Sequence, residues 1–212
     1  GDGKPYSGAT VSVSGSAAGN YNSTDVASAT TVTFTGLSTA NGNYSITAPT
    51  QSATTITAKP LTVSGITAAA TIYDGTTTAK LGGTAAFPGT EAAGAGSTSD
   101  GKPYSVDSVS AGGTAAGTLA AKDVGTEAVT ITGNNVTGTG YDNYTVTQQT
   151  GLTQSVTAKA LTVLGITAGS TTYDGTATAK LGGTAAVQTA EAAAVGTGSD
   201  GKPYTGNGDA VS

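Results

Sequence analysis

The sequence predicts an all-β protein. It reads as tandem immunoglobulin-like β-sandwich repeats of about one hundred residues that form an elongated rod, with a β-grasp-like or other small all-β unit as the alternative. Three observations predict this. Apolar residues alternate with Thr or Ser at period two in Val11-Ser-Val13, Val32-Thr-Phe34, Tyr44-Ser-Ile46, Leu61-Thr-Val63, Val129-Thr-Ile131 and Tyr144-Thr-Val146. That pattern marks strands with one face turned inward. Gly and Asn clusters separate these segments, and the chain repeats itself at a spacing of 100 residues.

Within residues 59–158 the elements follow in order. Leu61-Thr-Val63 anchors a strand near 60–66, and strands near 70–73 and 76–81 flank Tyr73-Asp74-Gly75. Asp-Gly is a hairpin turn pair, because Gly supplies positive φ and Asp bonds its own backbone. Further strands fall near 104–110, 115–119, 126–132, 143–148 and 153–158. Short strands at intervals of roughly 8–12 residues fit a sandwich or barrel. Gly82-Gly83, Gly112-Gly113, Gly133-Asn-Asn135 and Gly138-Thr-Gly140 read as turns and breakers. The Ala-rich stretch 90–95, repeated at 190–195, is the one helical option.

The repeat sets the domain organisation. Lys59-Pro-Leu-Thr-Val63 recurs as Lys159-Ala-Leu-Thr-Val163, and TAKLGGTAA at 78–86 recurs unchanged at 178–186. Residues 59–104 match 159–204 at 32 of 46 positions. A partial earlier copy carries Asp2-Gly-Lys-Pro-Tyr6 and Asn43-Tyr44. Residues 1–58 are thus the C-terminal part of one repeat, 59–158 a complete repeat, and 159–212 the N-terminal part of the next. The chain starts at Gly1 without an initiator Met, which predicts a processed or excised piece of a longer array. An incomplete sheet recruits strands from elsewhere. The half-repeats therefore predict head-to-tail polymerisation by strand complementation between neighbouring copies. The connection at Lys59 and Lys159 has no flexible linker, which predicts a stiff rod.

Composition excludes much chemistry. The chain has no Cys, Met, Trp, His or Arg, and Thr, Gly, Ala and Ser make up about 62% of it. Ser-His and Cys-His nucleophilic systems cannot be built without His. A structural zinc site has no ligands to use. Asp and Glu are scattered singly, whereas calcium needs several oxygens at close spacing. The sequence therefore predicts no catalytic residue, no cofactor and no metal. Net charge is −5 and no Lys cluster exists, so no nucleic-acid footprint is expected. No apolar run approaches the length of a membrane span, so no membrane insertion is expected. Val, Ile, Leu and Phe come to about 15% of the chain, which predicts thin cores filled out by Ala and Thr methyl groups.

Several motifs carry a family likeness. They are the Lys-x-Leu-Thr-Val-x-Gly-Ile-Thr-Ala start at 59–68, Tyr73-Asp-Gly-Thr-Thr77, Lys122-Asp-Val-Gly-Thr126, Asp142-Asn-Tyr-Thr-Val146 and Val156-Thr-Ala-Lys159. In this order and period the chain resembles the YDG and MBG-type repeats of large bacterial surface adhesins, among them filamentous-haemagglutinin-like and biofilm matrix adhesins. The resemblance implies a secreted, cell-surface stalk or fibre segment and not an enzyme. The Ser-Asp-Gly-Lys-Pro-Tyr insert has no counterpart in the family pattern.

Two sets of contact or turn residues stand out. Tyr73, Asp74 and Gly75, with Tyr173, Asp174 and Gly175, form turns with a packed Tyr, or carry a carbohydrate-stacking Tyr. Asp100, Lys102, Pro103 and Tyr104 form a turn before a strand, or an adhesive contact. The expected partners are neighbouring copies or adjacent repeats. The alternative is a glycan- or protein-binding module, which would meet surface glycans or matrix polysaccharide through the divergent windows 87–98 and 187–198.

Overall fold

A computed structural model describes residues 2–52 and 56–205. In chain order the strands are β1 (Val13–Tyr21), β2 (Thr31–Thr39), β3 (Thr50–Ser52), β4 (Lys59–Thr62), β5 (Ser64–Ala68), β6 (Thr71–Ile72), β7 (Leu81–Ala86) and β8 (Ser108–Leu119). They continue with β9 (Gly125–Thr139), β10 (Tyr144–Thr147), β11 (Thr153–Thr157), β12 (Val163–Gly169), β13 (Lys180–Val187), β14 (Glu191–Ala192) and β15 (Tyr204–Thr205). One 3-10 turn at Tyr141–Asn143 is the helical content among the described residues, so the fold is all-β.

The chain divides into two compact units, each built from more than one copy of the sequence repeat. The first takes Gly1–Thr62, Phe87–Ala111 and Asn135–Thr147. Here β1, β2 and β3 form an antiparallel sheet, and β4 lies parallel to β10 with Tyr144 opposite Lys59 and Val146 opposite Leu61. Leu61 is 0% exposed and Tyr144 is buried. Strand β1 is exposed along its whole length, although Val11-Ser-Val13 reads as half-buried in the sequence. The small residues that follow Val13 offer little to bury.

The second unit takes Val63–Ala86, Gly112–Asn134 and Gln148–Ser212. Strand β5 pairs antiparallel with β7, and β12 with β13 repeats that pairing 100 residues later. Strand β11 lies between β6, to which it is parallel, and β9, to which it is antiparallel. Val63, Ile66, Ala79, Leu119, Val129, Ile131, Val156 and Tyr204 are its buried apolar residues among those described. Val129 and Ile131 point inward while Thr130 and Thr132 are exposed, as the period of two requires.

The paired glycines lie where the sequence reading does not put them. Gly82-Gly83 is inside β7, Gly112-Gly113 inside β8, and Gly133 and Gly138 inside β9. The physical reason is a bulge. Gly65 and Gly83 have φ of 87° and 77°, and the β5–β7 register slips between Ser64 and Ile66. A Cβ on Gly83 would collide with the Gly65 carbonyl oxygen. The same facing pair recurs at Gly15/Gly36, Gly113/Gly133 and Gly165/Gly183. A bulge with a left-handed Gly bends and twists a strand without ending it. Gly83→Ala is expected to lower stability by about 2 kcal/mol, from strain at positive φ plus the collision. A urea titration checks this, and an unchanged midpoint would refute the bulge assignment.

Two other elements differ from the sequence reading. Residues 76–80 carry only a single bridge, Thr78 to Thr118, and the strand starts at Leu81. The Ala-rich stretch is no helix. It turns at Ala92, whose carbonyl accepts the Ala95 N–H at 3.0 Å.

Candidate functional site

Each repeat opens on a lysine whose side chain is buried. Lys59 starts β4, with its side chain 6% exposed. Its ammonium bonds the Glu91 carboxylate, meets Asp100 Oδ1 at 3.0 Å, and stands 4.2 Å from the Tyr104 ring centroid. Lys159 repeats this with Glu191 Oε1 at 2.6 Å, Asp200 Oδ1 at 2.9 Å and the Tyr204 ring at 3.9 Å. The first set lies wholly in the first unit and the second wholly in the second.

The sequence builds this socket locally. In Asp100-Gly-Lys-Pro-Tyr104, Asp100 Oδ1 accepts the Lys102 N–H at 3.0 Å, which closes a turn. Gly101 comes close to the first strand, and its carbonyl accepts the Thr62 N–H at 3.2 Å. A Cβ at Gly101 would lie 2.5 Å from Thr62 Oγ1. Pro103 is buried and its carbonyl accepts the Glu91 N–H at 3.0 Å, which sets Glu91 beside Tyr104. The Asp200-Gly-Lys-Pro-Tyr204 copy makes the same bonds, with Thr162 N–H to Gly201 at 2.9 Å and Glu191 N–H to Pro203 at 2.8 Å. Lys102 itself is exposed.

Burial and bonding fix the charges. Burial pulls the Lys59 ammonium down, but the bonds to Glu91 and Asp100 outweigh it and hold the group above the ordinary lysine range. Lys159 is raised in the same way. The Lys102 N–H, with Lys59 and Glu91, holds the Asp100 carboxyl well below the usual range, and Lys202 does the same for Asp200. Beside the socket, Tyr144 Oη accepts the Tyr104 N–H at 2.9 Å and donates to Asp107 Oδ2 at 2.7 Å. Burial, then Asp107, pushes its hydroxyl up to about 12.

These shifts set a pH window. Lowered carboxyls stabilise the fold above their unfolded value near 4, and that contribution is lost as pH falls through the folded value. Raised Lys and Tyr groups stabilise it below their unfolded values near 10, and that contribution is lost as pH rises. The melting temperature is expected to hold level between about pH 6 and 9 and to fall on both sides. Scanning calorimetry across that range checks it, and a rise between about pH 10 and 12 would contradict it.

The lysine sockets sit where residues from successive copies meet. Val26, Ala58, Lys59 and Tyr104 line one cleft, with Asn143 and Tyr144. Val124, Ala158, Lys159 and Tyr204 line another, with Tyr73 and Leu161. Val26 corresponds to Val124 at a spacing of 98, and the other three at 100. In the first unit, Asn143 clamps the preceding copy: its Oδ1 accepts the Val26 N–H and its Nδ2 donates to Asp25, both at 2.9 Å.

Tyr73 belongs to the second junction. Its ring lies 5.8 Å from that of Tyr204, and Lys122 Nζ donates to its hydroxyl at 3.3 Å. Asp74 Oδ1 accepts the Thr76 N–H and hydroxyl at 2.9 and 2.8 Å, and Gly75 has φ 76°. Asp174 makes the same turn with Thr176, next to Gly175, while Tyr173 is 94% exposed. The turn forms without the expected hairpin, because β6 pairs with β11 and not with residues 76–81. The structure thus joins Asp100, Pro103 and Tyr104 in one socket and brings Tyr73 to Tyr204.

Sequence reasoning missed Lys59, Glu91, Lys159 and Glu191. The available signal was Glu91 itself. It recurs as Glu191 inside a window in which eight of twelve positions differ, at the same spacing as the two lysines. Among the described residues no group of three or more acidic side chains gathers to hold a metal ion.

Residues 57–151 match the YDG domain. No curated protein and no solved structure matches the chain.

Proposed function

We propose that the chain is a structural stalk or fibre segment of a bacterial extracellular adhesin or filament, with tandem immunoglobulin-like repeats stacked into a stiff rod. The carrying observation is the junction built twice from equivalent residues. Val26, Ala58, Lys59 and Tyr104 form it once, and Val124, Ala158, Lys159 and Tyr204 form it again. A buried ion cluster at each boundary, with an apolar wall, resists pivoting in a way a Gly/Ser linker does not. Length is then the functional variable, and each repeat adds a fixed increment of reach. The partners are adjacent repeats or neighbouring copies of the chain. Small-angle scattering of proteins with one, two and three repeats tests the rod. A constant increment in maximum dimension per repeat is expected, and compact or freely pivoting particles would overturn it.

A second reading is an adhesive module for surface glycan, matrix polysaccharide or protein. Residues 93–98 are exposed, and this tip differs between copies while Glu91 beside it does not. Binding of the single repeat 59–158 to a glycan array would favour that reading over the stalk.

A further inference from the structure

We propose that Ile72 and Gly198 form a size-matched pair between successive repeats, so that the variable tip at residues 192–198 is read by the Tyr-Asp-Gly turn of the repeat before it. This rests on the tandem-repeat reading above and names the residues that select a neighbour. Both sides of the contact lie in the second compact unit.

The turn is held at the exit of its own repeat. Ile72 lies opposite Thr157 in the β6–β11 pair, and the Tyr73 N–H donates to the Thr157 carbonyl at 2.7 Å. Two residues beyond Thr157, Lys159 opens the next repeat. The tip of that repeat comes back to the turn, where the Ala194 N–H donates to the Asp74 carbonyl at 2.8 Å. Ala194 has φ 60° and is the one left-handed non-glycine residue among those described. Ala seldom adopts this backbone, because its Cβ crowds the following carbonyl. Its counterpart in the other copy is Gly94, with φ 75°. A strained residue persists where its surroundings hold it, and here Asp74 is the holder.

Gly198 shows what the turn selects. The tip folds the same way in both copies. The Val195 N–H donates to the Ala192 carbonyl at 3.1 Å, as the Ala95 N–H does to Ala92 at 3.0 Å. The Thr197 N–H donates to Asp200 Oδ2 at 2.8 Å, as the Ser97 N–H does to Asp100 Oδ2 at 3.3 Å. Yet position 98 holds Thr where position 198 holds Gly. The local turn therefore accepts a side chain here, and Gly198 answers to a neighbour. A Cβ on Gly198 would lie 2.8, 3.0 and 3.1 Å from Cδ1, Cγ2 and Cβ of Ile72. Rotation could move Cδ1 away, but Cβ is fixed by the backbone and a β-branched side chain is stiff at χ1. The turn varies too, since Ile72 is Thr172 in the other copy. A bulky residue on the turn thus demands glycine on the tip and rejects a tip that carries Thr. Steric rejection of the wrong neighbour is one of the two routes to specificity.

Amide hydrogen exchange, read residue by residue in the 212-residue chain, tests the pair. The Ala194 N–H is expected to exchange at least about tenfold slower than in an open chain, and Gly198→Thr to remove that protection. Ile72→Thr added to Gly198→Thr is expected to restore it, with each residue one that the other copy already carries as Thr172 and Thr98. The Thr162 N–H, bonded to the Gly201 carbonyl at 2.9 Å beside the lysine socket, is expected to stay protected throughout and reports that the unit is folded. Protection at Ala194 that survives Gly198→Thr, or that Ile72→Thr does not restore, overturns the proposal. Compact or pivoting particles in the scattering series, with the exchange pattern as expected, would remove the stiff rod and leave the pairing in place.

Discussion

Lys59→Met is expected to destabilise the first unit by about 3 kcal/mol. Removing one partner of a buried ion pair leaves the other uncompensated, and such losses run to about 3–5 kcal/mol. Glu91, 11% exposed, and Asp100, 22% exposed, would then face each other without a cation. Lys59→Met/Glu91→Leu is expected to recover part of the loss, because apolar replacement of a buried pair is often near neutral. Chemical denaturation of the three proteins checks this. If Lys59→Met alone matched the wild type, the socket would be a surface ornament and the junction argument would fail.

Leu61→Ala is expected to cost about 3 kcal/mol, and Leu161→Ala less than about 1 kcal/mol. The two residues sit in the same Lys-x-Leu-Thr-Val motif, and local sequence gives no reason to separate them. Leu61 is 0% exposed under β10, while Leu161 is 39% exposed. A truncated buried Leu leaves a cavity, and a truncated exposed one does not. Thermal melts at low protein concentration check the pair.

The strand pattern was legible because each residue announces its own face. Leu61-Thr-Val63 and Val129-Thr-Ile131 alternate in sequence and in burial. The glycines were not legible. Gly83 with positive φ serves a turn and a bulge equally well, and only the Gly65 carbonyl opposite it decides between them. The site was half legible. Asp100 and Tyr104 stood out through their repeated motif, and their neighbour Lys59 did not, because it lies 41 residues from Asp100 in the chain.

The sequence by itself determined the all-β class and the hundred-residue period, and it holds no Cys or His from which a Cys-His or Ser-His pair could be built. These follow from residue types and short-range alternation, which need no partner. The tertiary structure alone decided which lysine meets which carboxylates, and which of two identical leucines is buried. Both depend on strands that pair across long stretches of chain, as β4 does with β10. Burial belongs to that pairing and not to the residue, so the Leu and Val of one Lys-x-Leu-Thr-Val motif are core while those of the other are exposed.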